Sequence, residues 1–198
     1  PFEQVAVVYS HDFDAKTKPA IAEGVETAWR ERLAANPRLF AGLKFRHHGE
    51  DVGTPMTFRF GLTDYKQVVG TNFQADVDSI TAAGSADHGD ERAYMADAVG
   101  VGALLETADG HLVVFKRSMS VGEAAGLVDV PGGHPEPGDI GMDATTAPSA
   151  ELNTAVRHEL FDSILREVIE EVGTPRERLA PPQLLGVIVN HTTGKRWG

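Results

Sequence analysis

The stretch that most constrains this chain is an acidic segment at residues 159–173, which the sequence predicts to be helical. Its apolar residues recur at helical spacing, so one face is expected to meet a core. They are Leu160, Phe161, Ile164, Leu165, Val168 and Val172. Glu167, Glu170 and Glu171 fall elsewhere on the helix, within an arc of about 100°. Carboxylates so placed repel one another unless a cation lies between them, and Mg²⁺ prefers oxygen ligands. By itself, a segment of this kind is more often a solvated acidic face than a metal site.

Composition excludes several classes of protein. The 198 residues carry a formal net charge of −11, which argues against nucleic-acid binding because such surfaces cluster Lys and Arg. The chain has no cysteine, and so no disulfide or thiolate chemistry. No apolar run approaches the roughly 18 residues of a membrane span, and no signal-peptide pattern opens the chain. We therefore expect a soluble, cytoplasmic protein without membrane partners, and its oligomeric state stays open.

Patterns of apolar residues and turn residues divide the chain near residue 92. Before that point the sequence predicts strands at 5–9, 43–48 and 56–62 and helices at 21–35, 64–69 and 76–83. A polar stretch at 87–97 joins the halves. The second half is predicted to hold a hairpin of strands 99–107 and 111–117, a short strand at 127–130, a flexible insertion at 140–149, a helix at 150–172 ended by Gly173, a helical turn at 176–179 and a strand at 184–190.

Two segments of the second half form a recognisable pattern. Pro131-Gly132-Gly133 follows a predicted strand, and Arg166-Glu167-Val168-Ile169-Glu170-Glu171-Val172-Gly173 lies downstream. Together they resemble the Nudix box, which has a glycine pair, a glutamate and then R-E-U-x-E-E-x-G, where U is a bulky aliphatic residue. The final aliphatic position of the pattern is Thr174 here.

The upstream acid of that pattern is displaced in this chain. Counted from the glycine pair it falls on Asp139, yet 26 residues separate Asp139 from Arg166, far more than the family pattern has. Counted back from Arg166 it falls on His158, with Glu159 one step away. The role of the upstream acid therefore stays open among Asp139, His158 and Glu159.

The resemblance extends over roughly residues 20–190. The chain is similar to Nudix hydrolases that act on UDP-glucose and UDP-galactose and whose box carries a similar insertion. That resemblance implies an α+β fold, with an N-terminal α/β substrate-recognition region at 1–92 packed on a Nudix α/β/α sandwich at 93–198. Such proteins continue past the box with further strands and a closing helix, so we expect the sandwich to be incomplete at the C-terminus. A naturally short variant would instead leave a sheet edge exposed.

The resemblance implies cleavage of a UDP-sugar to UMP and sugar 1-phosphate, with Mg²⁺, or Mn²⁺, as cofactor. Glu167 and Glu171 lie one helical turn apart and would share the ion. Glu170 would hold a metal-bound water or act as base, and the family pattern adds the backbone carbonyl of Gly132. Arg166 is expected to brace the glycine loop through hydrogen bonds.

Further residues are predicted to contact a small-molecule nucleotide sugar. Arg117 is a candidate for the pyrophosphate because Arg suits phosphate geometry. Phe40 and Tyr65 are candidates to stack on uracil, and Asn72 could bond the base edge or cap a helix. Alternatively, Arg117 is an ordinary surface arginine, and Phe40 and Tyr65 are aromatic residues of the core.

The glycine loop supplies the remaining candidates. Asp129, His134 and Glu136 flank the glycine pair and are predicted to meet sugar hydroxyls or the β-phosphate, although His134 could be a simple loop residue. Gly122 could offer a backbone contact. Two other functions stay open: hydrolysis of another nucleoside diphosphate derivative, such as an ADP-sugar, and a non-catalytic Nudix-like binding fragment.

Overall fold

The computed structural model describes residues 1–116, 126–190 and 195–197. Its N-terminal part contains a mixed sheet in the order β1-β3-β2. The strands are β1 (Val5–Tyr9), β2 (Leu43–Asp51) and β3 (Met56–Asp64). β1 runs parallel to β3, and β2 runs antiparallel to it with an irregularity between His47 and Gly49. The three predicted strands are confirmed, and β2 and β3 run slightly further than predicted.

Three helices follow the predicted order in this part. They are α1 (Pro19–Ala35), α2 (Tyr65–Gly70) and α3 (Val77–His88). The α2 helix begins where the Asp64 carboxylate accepts a hydrogen bond from the Gln67 N–H at 2.7 Å. α1 and α2 pack closely, because a β-carbon added at Gly70 would lie 2.5 Å from the Val25 α-carbon. Trp29 is buried between them against Val69.

The second half contains short strand pairs among its described residues. β4 (Val101–Gly102) pairs with β7 (Gly132–Gly133), and β5 (Phe115–Lys116) pairs with β6 (Val128–Asp129). The last pair is β8 (Ile188–Asn190) with β9 (Lys195–Trp197).

The predicted hairpin at 99–117 forms only around its turn. The Thr107 N–H donates to the His111 carbonyl at 2.8 Å, and Gly110 has the positive φ of 80° that the turn requires. Beyond the turn, the outer ends of the two strands pair with the 128–133 segment. The predicted strand lengths were therefore too long.

The acidic helix, α4 (Ala150–Val172), has the predicted bounds. The Ser149 hydroxyl accepts a hydrogen bond from the Leu152 N–H at its start, and Gly173 ends it at a φ of 73°. Its apolar face lies on β1, where the Asn153 side-chain oxygen accepts the Tyr9 N–H at 2.8 Å. One hydrophobic core therefore joins residues from both halves: Val5, Val7, Tyr9, Phe45, Phe58, Phe60, Leu62, Val99, Met142, Val156 and Phe161. The division at residue 92 stays a prediction.

The insertion at 140–149 was predicted to be flexible, and that prediction is wrong. Met142 is buried in the main core, and the Asp143 carboxylate accepts a hydrogen bond from the Thr145 N–H at 2.8 Å. The Thr146 carbonyl accepts the Tyr9 hydroxyl at 3.2 Å. An apolar anchor and an Asp–Thr turn therefore hold the insertion against β1.

The described elements confirm an α+β fold. None of the described helices is both long and apolar enough to cross a membrane.

Candidate active site

The two separated halves of the glycine–glutamate pattern meet in space. The Gly132 N–H donates a hydrogen bond to Glu171 Oε2 at 3.1 Å. A β-carbon added at Gly133 would overlap the Glu167 carboxylate, because that side chain lies directly on the glycine α-carbon. The glycine turn therefore closes on the acidic face of α4.

Each glycine allows a different close approach. At Gly132 a β-carbon would lie 2.5 Å from the carbonyl oxygen of Val101, which belongs to the partner strand β4. Gly132 therefore permits the β4–β7 pairing, whereas Gly133 makes room for a functional side chain.

The carboxylates on α4 crowd one another. The pKa of Glu167 is raised above its ordinary value, first by burial and then by the negative charges of Glu171 and Glu170, while Arg166 opposes the rise. Glu167 is half-buried, and Glu170 and Glu171 are exposed. Within the described residues no side chain forms an ion pair with Glu167. Among the residues that the structure describes, burial and the like-charged neighbours of Glu167 therefore outweigh the effect of Arg166.

This donor set fits a hard divalent cation such as Mg²⁺ or Mn²⁺. Such ions take oxygen ligands, and a positive charge would relieve the repulsion that raises the pKa of Glu167. In the part of the chain that the structure describes, no three His, Asp or Glu side chains converge as a preformed metal cage. Glu167, Glu171 and the peptide group of Gly132 are the groups that the fold brings together.

Arg166 connects the helix to the loop that follows the glycine pair. Its guanidinium donates to Glu159 Oε1 at 2.6 Å and to Asp139 Oδ2 at 2.7 Å. Glu159, only 2% exposed, also accepts the Glu136 N–H at 2.9 Å. Arg166 thus holds the loop by way of Glu159, and Glu159 raises the pKa of the guanidinium.

Two of the three candidates for the displaced upstream acid contact Arg166. Both Asp139 and Glu159 reach Arg166, although they lie on opposite sides of the insertion. His158 instead packs its ring 4.7 Å from the ring of Phe2. Glu159 is the better-buried partner, and Asp139 is the exposed one.

The loop candidates for substrate contact lie close to the glycine pair. Glu136 forms an ion pair with Lys44 of β2. Asp129 is half-buried in β6, where Oδ1 accepts a hydrogen bond from the Val130 N–H at 2.9 Å. His134 is half-buried in the loop itself. The other two predicted contacts, Arg117 and Gly122, lie outside the described residues.

The aromatic candidates border one turn but differ in exposure. Phe40 is 77% exposed, and its ring lies against Gly42. Tyr65 donates its N–H to the Gly42 carbonyl at 3.0 Å, but its ring packs edge-on against Trp29 at 6.1 Å. Phe40 is therefore open to a ligand, whereas Tyr65 shares its ring with the α1–α2 core.

Asn72 is not available to a substrate. It is 4% exposed, and its amide nitrogen donates to Asp97 Oδ1 at 2.9 Å. Its side-chain oxygen accepts the Asp97 N–H at 3.0 Å. The prediction that Asn72 bonds a base edge or caps a helix is therefore wrong, because both polar ends are engaged in the interior.

The contact between Lys44 and Glu136 was not predicted from the sequence. Lys44 lies in a predicted strand between apolar neighbours, and its partner Glu136 follows 92 positions later. The signals available in the sequence were a positive charge inside a predicted strand and the family resemblance of the 44–46 stretch.

Comparisons with known proteins agree with this geometry. No family model matches the chain. The chain is 40% identical to "Uridine diphosphate glucose pyrophosphatase NUDT22" of Homo sapiens, over 99% of its own length and 67% of that protein. The Bos taurus protein of the same name gives 40% identity, covering 99% and 70%. "Nudix hydrolase 9" of Arabidopsis thaliana is 36% identical to the chain, and the match covers 93% of this chain and 64% of the Arabidopsis protein.

The closed glycine turn and the glutamate helix define a hydrolase of the Nudix class. The chain is 36% identical over 93% of its length to a protein named as a Nudix hydrolase, and 40% identical over 99% to the human pyrophosphatase, and it belongs to the Nudix hydrolase family. Its α+β fold is that of the family. The chain spans about two thirds of the length of these relatives.

Proposed function

We propose that this protein hydrolyses the pyrophosphate bond of UDP-sugars, UDP-glucose or UDP-galactose, to give UMP and sugar 1-phosphate. The observation that carries the proposal is the closure of Gly132 and Gly133 on Glu171 and Glu167. The substrate class is taken from the relatives of Homo sapiens and Bos taurus, whose names specify uridine diphosphate glucose.

Glu167, Glu171 and the carbonyl of Gly132 would hold Mg²⁺, or Mn²⁺ in its place. When bound, such an ion neutralises charge on the pyrophosphate and lowers the pKa of a coordinated water. Glu171 accepts the Gly132 N–H and the Glu167 carboxylate lies against Gly133, so both oxygen donors face the glycine turn.

Residues of the chain are assigned to the proton transfer and to the positioning of the loop. A water oxygen forms a bond to one phosphorus while the bond from that phosphorus to the bridging oxygen breaks. The exposed carboxylate of Glu170 accepts the water proton and returns it to solvent. Arg166 touches neither reactant; it keeps the loop in place through Glu159 and Asp139.

Substrate recognition is assigned to the loop and to the exposed aromatic residue. Phe40 would stack on uracil, with Tyr65 supporting the same turn. Asp129, His134 and Glu136 would accept or donate hydrogen bonds to the sugar. Arg117 would bind the pyrophosphate, and Gly122 would offer a backbone contact.

A hydrolysis screen tests the substrate. UDP-glucose, UDP-galactose, ADP-glucose and ADP-ribose are incubated with the protein and Mg²⁺, and released nucleoside monophosphate is separated by chromatography. We expect the two UDP-sugars to be cleaved fastest, with UMP as product. Equal or faster cleavage of the ADP compounds would overturn the uridine assignment, and no cleavage of any would favour a binding fragment.

A paired variant tests the residues. Glu171→Gln keeps the shape of the side chain and the hydrogen bond from Gly132 but removes the charge. We expect turnover to fall about 10²–10⁴-fold. Glu177→Gln, an exposed glutamate just past the helix, is the control and should keep full activity. Unchanged turnover in Glu171→Gln would refute the metal assignment.

A further inference from the structure

We propose that Lys44 is a positioning residue for the nucleotide-sugar site, where it fixes the Glu136 carboxylate toward the sugar. The inference rests on the proposed function, because Glu136 is assigned there to substrate. It adds a residue of the N-terminal sheet to the sugar-binding part of the site, whose other assigned residues belong to the second half of the chain.

Lys44 is largely buried. Its side chain is 14% exposed and its ammonium contacts Glu136 Oε1. Lys44 lies in β2 opposite Thr63 of β3, so its stem emerges from a packed sheet. Placing an ammonium in such surroundings costs free energy unless a carboxylate compensates it. Lys44 and Glu136 are therefore held together rather than meeting by chance at a surface.

Glu136 is also held at two points. Its backbone N–H donates to Glu159 Oε1 at 2.9 Å, and Glu159 is bound by Arg166, the residue before Glu167. That chain of contacts fixes the backbone of the loop relative to the glutamate helix. Lys44 holds the other end, the carboxylate, so the direction of the side chain depends on it.

Lys44 also changes the charge that Glu136 presents to a substrate. A lone carboxylate beside a pyrophosphate would repel it, whereas a carboxylate paired with an ammonium is close to neutral and still has an oxygen free to accept a hydrogen bond. Oε1 of Glu136 contacts Lys44, which leaves Oε2 to accept a hydroxyl of the sugar. Lys44 thereby allows Glu136 to accept a hydrogen bond from a substrate that is itself strongly negative.

Steady-state kinetics with UDP-glucose test the inference on Lys44→Met, Lys44→Arg, Glu136→Gln and the double variant Lys44→Met/Glu136→Gln. We expect Lys44→Met to raise KM about tenfold, the size of one hydrogen bond to a charged group, with kcat changed less than about threefold. Lys44→Arg should recover most of the loss. The double variant should be no worse than Glu136→Gln alone, because the two residues act as a unit.

A second readout separates positioning from general loosening. Inhibition by UMP, which has no sugar, should be unchanged in Lys44→Met, because only the sugar contact is lost. Lys66→Met is the matched control: Lys66 also pairs with a glutamate, Glu26, but between α2 and α1, and its KM should equal that of the wild type. Thermal unfolding checks each variant, and Lys44→Gln replaces Lys44→Met if the latter does not fold.

The outcomes are distinguishable. If the wild type does not cleave UDP-glucose, the proposed function fails and this inference fails with it. If the wild type cleaves UDP-glucose but Lys44→Met has the same KM, or the losses of the two single variants add in the double variant, the function stands and the role of Lys44 is refuted. A weaker inhibition by UMP in Lys44→Met would also refute it.

Discussion

Two carboxylates of this protein, Asp97 and Glu167, occupy opposite electrostatic environments. Asp97 is 1% exposed, yet it accepts hydrogen bonds from Arg92 Nε and Asn72 Nδ2, each at 2.9 Å. Its own N–H bonds back to Asn72, and its φ of 40° is stabilised by these contacts. Glu167 is more exposed, but its nearest charged partners include Glu170 and Glu171, and its pKa is raised.

The difference separates a structural carboxylate from a functional one. A buried charge that is fully paired links elements, and here Asp97 ties the 93–99 segment to the end of α2. A charge that neighbours of the same sign oppose is costly in the free protein, and such arrangements concentrate at functional sites. Judged by burial alone, Asp97 rather than Glu167 would have been taken for the functional carboxylate.

The largest effect is expected from a substitution of Asp97, the structural carboxylate. Asp97→Asn keeps the shape and tolerates the positive φ, but it removes the charge that Arg92 faces. We expect the free energy of unfolding to fall by about 3 kcal/mol, as for a buried ion pair that loses one partner. Glu167→Gln should leave it unchanged or raise it by less than about 1 kcal/mol, because repulsion is removed. Urea denaturation of both variants measures the contrast, and equal losses would contradict it.

Substitutions of the two glycines are expected to have effects of intermediate size, and they also separate a structural role from a functional one. In Gly132→Ala the new β-carbon meets the Val101 carbonyl, a backbone atom in a paired strand, so we expect a loss of about 1–3 kcal/mol of stability. In Gly133→Ala it meets the end of the flexible Glu167 side chain.

For Gly133→Ala, stability should therefore change by less than about 1 kcal/mol, while turnover of UDP-glucose falls because Glu167 is displaced. Thermal unfolding and activity are measured on both variants. The interpretation fails if Gly133→Ala retains full activity.

The smallest expected effect concerns a partly exposed carboxylate with a titratable partner. His11 Nδ1 lies 2.9 Å from Asp14 Oδ2, and His11 Nε2 lies 3.1 Å from the Thr146 carbonyl. The pKa of His11 is raised, chiefly by the hydrogen bond to Asp14, with burial opposing. The stabilisation is therefore complete below the unfolded pKa of His, about 6.5, and is lost as pH rises through the folded pKa.

We expect His11→Gln to lower the free energy of unfolding by about 0.5–1 kcal/mol near pH 5.5 and by less near pH 9. Urea denaturation at the two pH values measures the difference. A loss that is independent of pH would show that protonation of His11 contributes nothing.

Local signals predicted the parts of the fold that local interactions determine. The bounds of α4 followed from the end of the small polar stretch at residue 149, from the apolar periodicity and from Gly173, which are all local signals. The three strands of the N-terminal sheet were likewise visible as runs of β-branched and aromatic residues.

Contacts between distant positions could not be predicted in the same way. Met142 looked like part of a polar insertion because its core partners, such as Val7 and Phe58, lie far away in sequence. Asn72 looked available because Asp97, which occupies both of its polar ends, comes 25 positions later. The partner of Lys44 could not be recognised in the sequence, because Glu136 lies 92 positions later.

The candidate site was predicted in part. The meeting of the glycine turn with Glu167 and Glu171 followed from the family resemblance, because neither segment alone distinguishes a metal site from a solvated surface. The upstream acid could not be assigned by counting residues, since Asp139 and Glu159 both contact Arg166 and only coordinates show that.

That shared contact has a consequence for how such chains diversify. The segment that leaves Asp139 and returns at Glu159 begins and ends on a single guanidinium, so its span in space is fixed whatever its length. The entropic penalty for closing a loop grows only logarithmically with the number of residues. Sequences of this kind can therefore gain residues in its exposed 147–148 stretch, which spares Met142 in the core and the Ser149 cap, without moving the two ends that Arg166 holds. A reporter peptide could be grafted there on the same grounds.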